Sequence, residues 1–185
     1  MHELKPGDEV ITTVLEHHSS ILPWENVCNA TGATLKFIPL TKEGKITVEN
    51  FKSVLTDKTK VVAISYVSNV MGYISPIKEI CEAAHEKGAV VTVDAVQAAP
   101  HMKLDVSDLG ADFVSITGHK IYGPTGIGVL YGKYELLSKM KPVQFGGEMI
   151  DIVDIENGSS FKSAPYKFEA GTPPIAAAIG LRSCN

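Results

Sequence analysis

The sequence predicts an α/β domain built on a mostly parallel sheet flanked by helices. Short β-branched runs alternate with stretches of helical spacing along most of the chain. The run VVAISY at residues 61–66 is almost continuously apolar, as expected of a strand covered on both faces. The chain has 185 residues, 44% of them hydrophobic and 21% charged, which is enough apolar material for one sizeable core.

Residues 9–13 read as the first strand, and residues 19–30 as a helix carrying Ile21, Trp24 and Val27 at helical spacing. A second strand follows at 34–38. A helix at 48–55 has Thr47 as its N-cap. After the apolar strand, residues 76–87 form a helix that starts on Pro76 and stops at Gly88. Further strands are expected at 90–93, 113–116 and 126–131, then a short helix at 134–140. Residues 146–174 lose the alternation and collect Gly, Ser and Pro, so they read as long loops.

Composition narrows the function classes. The net charge is −4, and lysines are scattered, so no basic stripe favours nucleic acid. The opening MHELKPGDEV lacks the apolar stretch of a signal peptide. No apolar run approaches the roughly 18 residues of a membrane span. Cys28, Cys81 and Cys184 lie far apart, without the spacing of a disulfide framework or a zinc site. The reducing cytoplasm is therefore the expected compartment. Nearly all the cationic side chains are Lys, and Arg182 is the sole arginine.

Ligands of parallel sheets sit beyond the carboxyl ends of the strands, so polar residues just after a strand carry the functional interest. Lys120 follows one strand in the loop Thr117-Gly118-His119-Lys120. A surface lysine is the ordinary reading; a cleft lysine can instead bond an aldehyde as a Schiff base. Asp94 ends the strand before it, in Val93-Asp94-Ala95-Val96-Gln97, and is either a helix cap or a cleft carboxylate. An acid and an amine on adjacent strand ends suit pyridoxal 5'-phosphate (PLP). The carboxylate keeps the pyridine nitrogen protonated, and the lysine reaches the aldehyde across the ring. Gln97, a little further on, could donate to the phenolic oxygen.

The segments EHHSSILPW, SNVMGYISPI, VDAVQAAPH, SITGHKIYGPTGIGVLYG, GGEMI and FEAGTP resemble the class V aminotransferase-like group of fold-type I PLP enzymes. Within it they are most similar to the SUF-type (group II) cysteine desulfurases. The match runs from near residue 3 to about residue 181, and the motifs are specific as a set. The resemblance implies that Lys120 bonds the cofactor and shuttles protons, and that Asp94 pairs with the ring nitrogen. It implies that Gln97 meets the phenolic oxygen and that His17, a catalytic residue with Lys120, stacks on the ring and can carry a proton. Asn69 would lie near the substrate carboxylate and a cofactor oxygen, and Thr117 and His119 would hold the phosphate. Thr172 would reach the phosphate of a neighbouring subunit, which makes a homodimer the expected assembly. For His17, Asn69 and Thr172 the ordinary readings are a helix cap, a turn residue and a turn.

The implied reaction converts L-cysteine to L-alanine and leaves a persulfide for a SUF-type acceptor protein in iron–sulfur cluster assembly. No cysteine here matches the family's nucleophile, and Arg182 does not match its substrate-binding arginine. Cys28 and Cys81 are expected to pack on helix faces. The chain is thus expected to hold part of the PLP-binding large domain over residues 1–185, without the N-terminal segment and the small C-terminal domain, and to be inactive alone. A selenocysteine lyase, another class V aminotransferase-like enzyme, or a non-catalytic PLP- or partner-binding chain are the alternatives.

Overall fold

A computed structural model describes residues 3–184. Its centre is a six-stranded sheet in the order β2-β1-β3-β4-β5-β6. The strands are β1 (Glu9–Thr12), β2 (Thr34–Phe37), β3 (Thr59–Ser65), β4 (Val90–Asp94), β5 (Phe113–Thr117) and β6 (Gly128–Gly132). β1 to β5 are mutually parallel, and β6 returns antiparallel to β5. The connections carry α1 (His18–Thr31), α2 (Val48–Val54), α3 (Ile77–Glu86) and α4 (Val106–Leu109). After β6 come α5 (Tyr134–Leu137), the hairpin β7 (Ile150–Ile152) and β8 (Ser160–Phe161), and α6 (Ile175–Arg182).

The chain leaves β1 toward β2 on one side and then crosses to β3 on the other, so the strand order reverses around β1. Such reversals open a crevice at the carboxyl ends of the strands. β3 explains the apolar run: every residue from Val61 to Ser65 is buried. The main core fills one face of the sheet. Ile11, Val62, Ile64, Val91 and Val93 meet Phe51 of α2 and Ile80 of α3 there. The other face is thinner. Val10, Val61 and Cys28 form its centre, with Leu4, Trp24 and Leu35 around them. α1 therefore buries little of itself: Cys28 is its buried residue, whereas Leu22 is 57% exposed.

The caps fall where the local chemistry places them. Thr47 accepts from the Asn50 amide at the start of α2. Gly32 ends α1 in the left-handed region, its N–H donating to the Cys28 carbonyl. α3 starts on Pro76, and Gly88 follows its end with φ +71. The region of residues 146–174 differs from the expected run of loops. It contains the β7–β8 hairpin, with Ile150 facing Phe161 in register. No helix of the described residues is long and apolar enough to cross a membrane.

Candidate functional site

At the carboxyl ends of β3, β4 and β5 lies a cavity of about 300 Å³. Its lining includes His17, Asn69, Asp94, Gln97, Thr117, His119 and Lys120. All the expected site residues except Thr172 thus converge on one space. Thr172 is exposed, outside this cavity, in the bend before α6. Ser65, at the end of β3, also lines the cavity and was not expected from sequence.

Each side chain is placed by its strand end. Asp94 closes β4, paired in register with Ser65 on one side and Ser115 on the other. Its Oδ1 accepts from the Val96 amide at 2.9 Å, and its Oδ2 accepts from the Ser20 hydroxyl at 3.4 Å. Asp94 is therefore both a turn-forming residue and a cavity carboxylate. The strand β5 ends at Thr117, and a single 3₁₀ turn, Gly118–Lys120, follows. That turn is clamped from both sides. The Gly118 amide donates to the Ile127 carbonyl at 2.9 Å, while the Gly118 carbonyl accepts from Ile121 and Gly123. A side chain at residue 118 would sit 2.9 Å from the Ile127 carbonyl and 3.0 Å from that of Pro124. Glycine is required by this close approach, and the tight turn aims Lys120 into the cavity. No ion pair among the described residues involves Lys120.

His17 caps α1, its Nδ1 accepting from the Ser19 amide at 3.2 Å. An accepting Nδ1 carries no proton, so the neutral ring has its N–H on Nε2. Capping and cavity-lining are compatible here, because the cap sits at the cavity edge. Thr117 Oγ1 lies 3.0 Å from His119 Nδ1, an adjacent hydroxyl and imidazole that suit an anionic oxygen cluster. The donor set therefore fits PLP: a carboxylate for a protonated ring nitrogen, an amine for an aldehyde, and hydroxyl and imidazole groups for a phosphate. Cys28 and Cys81 are buried, Cys184 is exposed, and none of these lines the cavity.

A mostly parallel sheet with these groups at its carboxyl edge is the large-domain fold of the fold-type I PLP-dependent enzymes. The chain belongs to the family described as aminotransferase class-V, whose model matches residues 1–184. It is 57% identical over 178 residues to a relative named "probable cysteine desulfurase" from Halalkalibacterium halodurans, covering 96% of this chain and 44% of that protein. The chain thus spans less than half the length of that relative. Among solved structures, the cysteine desulfurase CsdA from Escherichia coli superimposes with a TM-score of 0.94 at 43% identity, over 98% of this chain and 45% of the other. The cystine C–S lyase C-DES, in a mutant with glycine covalently linked to its PLP cofactor, gives a TM-score of 0.87 at 26% identity, over 98% of this chain and 49% of the other.

Proposed function

We propose that the cavity binds PLP and that the chain is the cofactor-binding large domain of a cysteine desulfurase. The observation that carries this is the convergence of Asp94 from β4, Lys120 after β5 and His17 at the start of α1 on one cavity of about 300 Å³. When bound, PLP supplies an electron sink for negative charge developing at the substrate Cα. The chain's own residues do the remaining work. Lys120 would hold the group at its aldehyde carbon and would carry a proton to or from the substrate Cα. Asp94 holds the proton of the ring nitrogen through a charge-assisted hydrogen bond. His17 covers a ring face, and Gln97 donates to the phenolic oxygen. Thr117 and His119 bind the phosphate, and Asn69 serves the substrate carboxylate side.

The net reaction is L-cysteine plus an acceptor thiol giving L-alanine plus a persulfide. The sulfur then passes to an acceptor protein of the SUF type for iron–sulfur cluster assembly. No thiol lines the cavity, and none of Cys28, Cys81 and Cys184 is read as the attacking cysteine. Thr172, exposed on the surface, is read as reaching the phosphate of a second copy in a homodimer. Three free cysteines fit a reducing cytoplasm.

The test is direct. Purified chain incubated with PLP is expected to turn yellow, and borohydride should fix the cofactor on Lys120, located by peptide mass. Colourless protein with no modified Lys120 would remove the assignment. Incubation of this chain with L-cysteine is expected to release no alanine. Lys120-dependent alanine would instead show that some thiol of these residues can attack.

A further inference from the structure

Glu16 precedes His17 and is 6% exposed, yet the functions assigned above do not use it. Buried carboxyl groups need compensation. No Lys, Arg or His among the described residues forms a salt bridge with it. Its partners are hydroxyls instead. Thr13 donates to Oε1 at 2.7 Å, and Ser65 donates to Oε2 at 2.5 Å. Thr13 is itself fixed, because its hydroxyl accepts from the Leu15 amide at 3.0 Å.

Ser65 gives this buried group a route to the cavity. It is also 6% exposed, it lines the cavity, and it pairs in strand register with Asp94. Glu16 lies on the far side of Ser65, facing a void of about 10 Å³ lined also by Ser68, Tyr73 and Ser75. Such a void has room for about one water. The loop from β1 to α1 and the end of β3 are thus joined through one carboxyl group, and the end of β4 is paired to Ser65 in strand register.

We propose that Glu16 is a positioning residue for the cofactor cavity, acting through the Ser65 hydroxyl on the wall beside Asp94 and through the backbone on the His17 cap. The role rests on the reading of the cavity as a PLP site. Burial pushes the Glu16 carboxyl up, and the Asp94 charge adds to this, against the hydrogen bonds from Ser65 and Thr13. The Thr13 and Ser65 hydroxyls each donate to one carboxyl oxygen, so both oxygens are satisfied without a cationic partner. Shape and hydrogen bonding to these two hydroxyls are what Glu16 contributes to the cavity wall.

The experiment is a cofactor titration by absorbance on the parent protein, Glu16→Leu, Glu16→Gln, Ser65→Ala and the Glu16→Leu/Ser65→Ala double variant. The borohydride-trapped fraction and the far-UV circular dichroism of the apoprotein are read alongside. Glu16→Leu is expected to weaken PLP binding about tenfold or more, because it strands the Ser65 and Thr13 hydroxyls. Glu16→Gln, which keeps shape and hydrogen bonding, should restore most of that loss. Ser65→Ala should weaken binding too, and the double variant should be no worse than the poorer single one, since both cut one link. Unchanged affinity in Glu16→Leu, a Glu16→Gln as poor as Glu16→Leu, or additive losses would overturn the role. If Glu16→Leu fails to fold, Ser65→Ala decides, and parent-like affinity there overturns it. A parent protein that takes up no PLP refutes the proposed function and this role with it. A parent that does, with indifferent variants, refutes the role alone.

Discussion

Asp112 is a heavily bound carboxylate at the end of the sheet away from the cavity. Its Oδ1 accepts from Lys133 at 2.7 Å, and its Oδ2 accepts from the Val91 amide at 2.7 Å and from His85 at 2.9 Å. Burial alone would raise its carboxyl, but these donors outweigh burial and hold it below the usual carboxylate range. A carboxylate with a depressed folded value adds stability that is complete above its unfolded value, near pH 4. That stability is lost as the pH falls through the lower folded value. Asp112→Asn is expected to cost about 1–3 kcal/mol in urea unfolding at neutral pH and to flatten the acid limb of the stability profile. Cys81 and His85 sit one turn apart on α3 beside this carboxylate, a grouping that superficially suggests a nucleophile. Burial pushes the Cys81 thiol up to about 12, so it stays protonated and packs. In the cavity, Lys120→Ala should abolish covalent trapping of PLP while leaving the fold intact, read by borohydride labelling and circular dichroism. Lys120, Asp94 and Gln97 were legible in the sequence because each sits at or just past a strand end in a specific motif. Glu16 and Ser65 were not. Their contact joins residues 49 apart in sequence, and a single glutamate before two histidines signals nothing by itself.

At the scale of elements, hydrophobic periodicity located most of the regular pieces and missed α4, α6 and the β7–β8 hairpin. Thr47, Pro76 and Gly88 marked helix ends correctly because caps are local chemistry. α4 is four residues long, too short to develop a periodicity. The β7–β8 hairpin sits among glycines and serines, and its strands are held by each other rather than by an apolar pattern. The turn after β5 shows how an element controls the site. Gly118→Ala would force the new methyl against the Ile127 and Pro124 carbonyls, so the turn must move. We expect the PLP-trapped fraction at residue 120 to fall severalfold, with a smaller loss of thermal stability. An unchanged trapped fraction would show that the turn tolerates displacement.

At the scale of the whole molecule, the parallel sheet and its order follow from the alternation that the sequence displays, but the state of its edges does not. Among the described residues, β2 and β6 are edge strands, and β6 leaves Val129 49% and Leu130 58% exposed. Unpaired apolar edges attract other chains. Leu130→Lys is therefore expected to reduce binding of a hydrophobic dye and self-association in sedimentation, without altering the helical circular dichroism signal.

Parallel strands joined by crossovers mean that no contiguous stretch of the chain owns the cavity. Its walls come from the entry to α1 and from the ends of β3, β4 and β5, which become neighbours when the sheet has closed its register. Whatever occupies that space must therefore report on the cooperativity of the entire sheet. A bound chromophore would bleach in step with global unfolding, and raising its concentration would lift the melting temperature by mass action.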